Sequence, residues 1–193
     1  MPSLIIGLVG QAGCGKGTIA SHIKASYGAT VFSFSTSMRD VLHRLHLPET
    51  RSHLITVSEV LRQGFGEDLF SHVIAEDARI AKTDLVVVEG IRRSQDLTTL
   101  SHLPHFVLVA IDVERETRFG RIKARGQNSG ETIMAWEQFM VEEARSTEMS
   151  IPGVMNLAAH HLKNNGSIRE LMGAITELMQ KLGYANSHHT HTS

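Results

Sequence analysis

The sequence predicts an α/β fold, a parallel sheet of about five strands with helices on both faces. Three observations carry that expectation. Leu4–Val9, Asp84–Gly90 and Phe106–Asp112 hold apolar residues at consecutive positions, as strands buried on both faces of a parallel sheet do. The segments between them place apolar residues three and four apart, the spacing of helices lying on a sheet. Leu4–Val9 also runs directly into the glycine-rich stretch Gly10-Gln11-Ala12-Gly13-Cys14-Gly15-Lys16-Gly17-Thr18, which leads into the amphipathic Ile19–Lys24.

Strand, glycine-rich loop and helix in that order make a phosphate-binding loop. Glycine permits the positive φ that lets successive N–H groups turn into one concavity, at the positive end of the following helix. A di- or triphosphate fits there. Gly13, Cys14, Gly15, Lys16, Gly17 and Thr18 are the candidate nucleotide-binding residues. Lys16 supplies a mobile point charge to the outer phosphates, and Thr18 a hydroxyl for a Mg²⁺ that bridges two phosphates. Cys14 stands at a helix N-terminus, where thiolate is favoured, so alkylation there is expected to block the loop.

The spacing Gly-x-x-Gly-x-Gly-Lys-Gly-Thr, with Gly17 between Lys16 and Thr18, resembles that of the nucleoside monophosphate kinases, adenylate kinase above all. The resemblance implies the P-loop NTPase three-layer sandwich. It also implies one kinase domain over residues 1–183, with a helical acceptor-binding insert near 36–66 and a short lid near 121–135. The tail, 184–193, reads as a disordered end.

In chain order, Gly28 ends the first helix and Thr30–Phe34 alternates as a second strand. Thr36 or Ser37 can cap the next helix, whose apolar face holds Val41, Leu42 and Leu45. Ser35–Leu42 resembles the adenylate kinase segment whose arginine contacts the acceptor phosphate, and Arg39 takes its place. Pro48–Thr56 reads as a loop, Ser58–Gln63 as a short helix stopped by Gly64 and Gly66, and Asp68–Lys82 as another helix. Arg62 either reaches the cleft or is solvated. The strand Asp84–Gly90 ends in Glu89, near the loop in a doubly wound sheet, where it can hold a Mg²⁺-bound water.

Glu89-Gly90-Ile91-Arg92-Arg93 is similar to the Asp-Gly-Phe-Pro-Arg of adenylate kinase. An ungapped match gives Arg93 the phosphate-binding role, while the acid-Gly-Ile-Arg of related small archaeal and bacterial P-loop kinases favours Arg92. Both stand as acceptor-binding candidates. Past the strand Phe106–Asp112, Glu114 begins a helix that carries Arg118, Arg121 and Arg125 on one face. Resemblance gives Arg121 and Arg125 the contacts to ATP and the transferring phosphate. Glu131–Met149 reads as helical, with Glu142, Glu143 and Arg145 facing the same region. Pro152-Gly153 reads as a break, Leu157–Lys163 as a final strand made polar by His160-His161, and Ile168–Met179 as the last helix.

Composition excludes little but usefully. The chain has 193 residues and a net charge of −1, which gives no strong attraction to nucleic acid or an anionic membrane. One cysteine forbids an intramolecular disulfide or a cysteine-held zinc in the lid. The N-terminal apolar run is too short for a signal peptide, so a cytoplasmic protein is expected.

The expected reaction is transfer of the γ-phosphate of ATP to a nucleoside or deoxynucleoside monophosphate. Lys16, Arg92, Arg121 and Arg125 would be the catalytic group, Mg²⁺ the cofactor on Thr18 and Glu89, and ATP with a small nucleotide-like acceptor the partners. Three alternatives stay open: a dephospho-coenzyme A kinase, with Asp40 as the nearest candidate base, an ATPase without a small acceptor, and a regulatory nucleotide-binding protein.

Overall fold

A computed structural model of the chain describes residues 1–126, 131–144 and 146–184. Arg145, residues 127–130 and the histidine-rich tail lie outside the described residues.

Five strands form one sheet, ordered β2-β3-β1-β4-β5: β1 (Leu4–Val9), β2 (Thr30–Ser33), β3 (Leu85–Ile91), β4 (Phe106–Asp112) and β5 (His160–Lys163). Every pairing is parallel. β1 is central, between β3 and β4, so the loop after it opens at the middle of the sheet's carboxyl edge. Strand periodicity explains why β1 is apolar throughout. Leu4, Ile6 and Leu8 enter a core with Ile19 and Ile23 of α1 (Lys16–Tyr27) and Leu171 and Ile175 of α9 (Ile168–Lys181). Ile5 and Val9 enter the opposite core, with Phe70 and Ile74 of α4 (Leu69–Ile80) and Ile151 and Val154 of α8 (Ile151–Met155). No described helix is long and apolar enough to cross a membrane.

The expected single helix over Glu131–Met149 is a 3₁₀ turn, Glu131–Ile133, followed by two separate helices. Four further boundaries differ from the sequence reading, each for a local reason. α2 spans Phe34–Arg44 with Ser33, the last residue of β2, as its N-cap, so the chain passes from strand to helix without a loop. α3 runs Arg51–Phe65 where a loop was expected up to Thr56: Thr50 Oγ1 accepts the N–H of His53 at 3.1 Å and caps it. Pro152 opens α8 rather than breaking a helix, because the first turn needs no N–H from it. The last strand shortens to His160–Lys163 and forms the sheet edge. Only Leu162 is buried there, and His161 Nδ1 pairs with Asp112 Oδ2 at 2.9 Å, so its polarity suits an edge. The remaining helices are α5 (Arg115–Arg125), α6 (Trp136–Glu143) and α7 (Ser146–Met149). Ser94–Leu97 and Leu100–His102 are single 3₁₀ turns.

Candidate functional site

The loop between β1 and α1 is built by two left-handed glycines, Gly13 at φ 79° and Gly15 at φ 95°. Gly15 is the N-cap of α1 and has no side chain to cover the helix end. A Cβ on Gly15 would lie 2.6 Å from Asn164 Nδ2. That amide is buried and donates to the carbonyl of Cys14 at 2.9 Å. Asn164 follows β5, so the last strand braces the loop, a role the sequence reading missed. Lys16 Nζ folds over the loop and donates to the carbonyls of Gly10 and Gln11. Gly17 and Thr18 are exposed in the first turn of α1. The Cys14 side chain is fully buried beneath the loop, where Sγ accepts from Lys16 Nζ at 3.5 Å. The expected accessible thiol is therefore corrected, because the turn that presents the backbone outward sends Sγ inward.

Glu89 stands at the carboxyl end of β3, opposite Ser33 of β2 and Leu8 of β1. Burial lifts its carboxyl above the usual range, and the nearby charges of Lys16 and Arg39 pull it back down. Both cations thus act on one carboxylate. Arg39, on α2, donates to Ser35 Oγ at 2.6 Å and pairs with Glu49 at 3.0 Å. Asp40 is exposed on the same helix; burial raises the carboxyl of Asp77 on α4, and the charge of Asp40 adds to that.

The two adjacent arginines diverge. Arg92 Nη1 pairs with Glu148 Oε1 of α7 at 2.7 Å. Arg93 Nη1 reaches Glu67 at 3.2 Å, and Arg93 lines a groove of about 510 Å³ with Glu67, Gln95, Ser150 and Leu157. No residue of the phosphate loop lines that groove. Arg62 is neither in the cleft nor solvated. It is buried, stacked over Phe70 at 5.1 Å and bonded to Asp96 Oδ1 at 2.8 Å. A buried Arg–Asp pair looks in sequence like two surface charges, so only its coincidence with a helix and a turn could have flagged it.

The arginine face of α5 also splits. Arg118 is 3% exposed and bonds Glu143 Oε1 of α6, with its ring neighbour Phe139 at 5.6 Å. Its Nη1 lies 3.4 Å from the carbonyl of Ala12 in the loop. Glu143 also takes Arg115 at 2.8 Å and Gln11 Nε2 at 3.4 Å, so one carboxylate joins α5, α6 and the phosphate loop. Arg121 Nη2 points to the carbonyl of Gly166, beside Asn164, at 3.4 Å, and its Nη1 is buried without a hydrogen-bond partner. Arg125 is exposed at the end of α5.

The sequence profile of the family described as AAA domain matches residues 9–139, from the end of β1 into α6. The chain belongs to the AAA domain family. It is 30% identical over 183 residues to a UPF0200 protein of Hyperthermus butylicus, covering 93% of this chain and 95% of that one. A UPF0200 protein of Methanoculleus marisnigri is 26% identical over 180 residues, at 93% and 97% coverage. Among solved structures, shikimate kinase from Bacteroides thetaiotaomicron superposes with a TM-score of 0.62 at 12% identity, covering 93% of this chain and 98% of that one. TT1252 from Thermus thermophilus gives 0.60 at 18% identity, with 94% and 99% coverage. These likenesses establish the P-loop NTPase fold of the kinases for nearly the whole chain.

Proposed function

We propose that this AAA domain family member transfers the γ-phosphate of ATP to a nucleoside or deoxynucleoside monophosphate. The observation that carries the reading is the phosphate-binding loop at the carboxyl end of β1, turned by left-handed Gly13 and Gly15 with Lys16 folded over it. Glu89 stands at the neighbouring strand end, where burial raises its carboxyl and the charges of Lys16 and Arg39 lower it. The residues fit Mg²⁺. Thr18 hydroxyl and Glu89 carboxylate are hard oxygen donors, and one or two such ligands plus substrate phosphates are what Mg²⁺ ordinarily takes. When bound, the ion would neutralise charge on the transferring phosphate. The chain's own part is positioning. Lys16 and the loop N–H groups hold the donor, Arg121 and Arg125 meet charge developing on it, and Arg39 with Arg92 or Arg93 orients an acceptor that is already ionised.

A hydroxyl acceptor would need a carboxylate base. Asp40 is exposed on α2 and its charge acts on Asp77 of α4, which weighs against it in that role. The deciding experiment is a coupled ADP-release assay against a panel of monophosphates, dephospho-coenzyme A and shikimate, the last because it is named for a fold neighbour. Monophosphate-dependent release is expected. Release only with a hydroxyl acceptor, or with none, replaces the proposal with one of the other readings. Across a grid of ATP and acceptor concentrations, Arg39→Ala and Arg92→Ala should raise acceptor KM, whereas Arg121→Ala should lower kcat more than either KM.

A further inference from the structure

α3 is a fifteen-residue helix whose one buried residue is Arg62. Its anchor is thus a charge rather than an apolar side chain. That anchor ends on Asp96, 2% exposed, in the 3₁₀ turn after β3. Asp96 uses both oxygens. Oδ1 accepts from Arg62 Nη2 at 2.8 Å, while Oδ2 accepts from the backbone N–H groups of Arg92 at 2.9 Å and Arg93 at 3.1 Å. A buried ion pair adds little net stability over apolar packing, because desolvating both charges is costly. What it does supply is a fixed geometry, and here that geometry runs from α3 to the backbone of two adjacent arginines.

Arg92 is held at two further points. Ser150 Oγ donates to its carbonyl at 2.9 Å, and Glu148, 9% exposed, takes Nη1. The side chain nevertheless stays 49% exposed. A clamped backbone beneath an accessible guanidinium is how a preorganised binding arginine is built. We infer that Asp96 is a positioning residue that couples the placement of α3 to the orientation of Arg92. Seating an acceptor against the helical insert and aiming Arg92 at it are then one event. The kinetic part of this inference rests on the function proposed above; the coupling itself does not.

The test has two arms on the full-length protein. In the first, amide exchange is followed by NMR in Arg62→Met, which removes the hold of α3 on Oδ1 but touches neither N–H on Oδ2. Exchange at Arg92 and Arg93 should quicken about tenfold, the loss of roughly one hydrogen bond's worth of protection, with β1 amides unchanged. Unchanged exchange at Arg92 and Arg93, or a uniform rise everywhere, overturns the coupling. In the second, Asp96→Asn should raise acceptor KM about tenfold with ATP KM held within about twofold, as for lost orientation rather than lost fold. Equal changes in both constants overturn the positioning role. If Asp96→Asn does not fold, Arg62→Met is measured in the same assay. If the wild type turns over no monophosphate, the proposed function falls and the exchange arm still decides the coupling.

Discussion

Gly15→Ala tests how the last strand supports the phosphate loop. Two costs can be worked from the geometry. Alanine in the left-handed region, at φ 95°, loses about 1–2 kcal/mol, less about 0.4–1 kcal/mol returned by a stiffer unfolded chain. Its Cβ would also sit 2.6 Å from Asn164 Nδ2. That side chain is buried, so clearing the clash breaks its 2.9 Å bond and leaves the Cys14 carbonyl unsatisfied, at about 1–3 kcal/mol. The sum is about 1–5 kcal/mol. Asn164→Ala removes the clash and the bond together, so Gly15→Ala in that background should cost only about 1 kcal/mol. Urea unfolding of the four proteins, with equal m-values, yields the coupling directly. Additive costs, with no coupling beyond about 0.5 kcal/mol, would refute the idea that Asn164 braces the loop.

Three further outcomes are expected. Lys16→Ala should fold normally, by circular dichroism, yet lose at least about 3 kcal/mol of transition-state stabilisation, on the order of 100-fold in kcat; near-wild-type turnover would remove the loop from the chemistry. Cys14 should resist iodoacetamide equally with and without ATP-Mg²⁺ and label only in urea, since its side chain is fully buried; fast native labelling contradicts the packing. Glu89 gives a pH signature. Its folded carboxyl is raised above the ordinary 4.5, so the folded state holds a proton that the unfolded chain releases. That contribution is complete below the unfolded value and is lost as pH rises through the folded one. Glu89→Gln should therefore melt above the wild type at pH 8 and level with it at pH 4; a lower Tm for the variant at pH 8 would mean that Lys16 and Arg39 outweigh burial.

Signals that act within a few residues were legible in the sequence. β1, the phosphate loop and α1 follow from an apolar run, fixed glycines and helical spacing, and β4 from an unbroken apolar stretch. The start of α3 was not, because its cap is a lone threonine after Pro48 and Glu49, and its apolar residues are partly buried, as Leu54 and Leu61 are, or exposed, as Val60 and Phe65 are. Asp96 and Asn164 were missed for a shared reason. Each is a polar residue whose partner lies far along the chain, 34 positions for Asp96 to Arg62 and 150 for Asn164 to Cys14. Nothing in their neighbourhoods distinguishes them from solvated turn residues. The arginine face of α5 was visible as a face, but helical spacing cannot say that Arg118 turns to Glu143 while Arg121 turns to Gly166.

Helix α6 carries two consecutive carboxylates in unequal surroundings. Glu143 is pinned among Arg115, Arg118 and the loop, whereas Glu142 meets the exposed Arg51, in the first turn of α3, at 3.3 Å. Mechanically, the first is a pivot and the second a catch. An exposed ion pair holds by about 0–1 kcal/mol and weakens with salt, while a buried one does neither. The Arg51–Glu142 pair between α3 and α6 is therefore the more salt-sensitive of the two, and moderate ionic strength loosens it first. Any swing of α6 away from α3 would rotate about the phosphate loop itself, so the loop would be the axle of that motion and not its passenger.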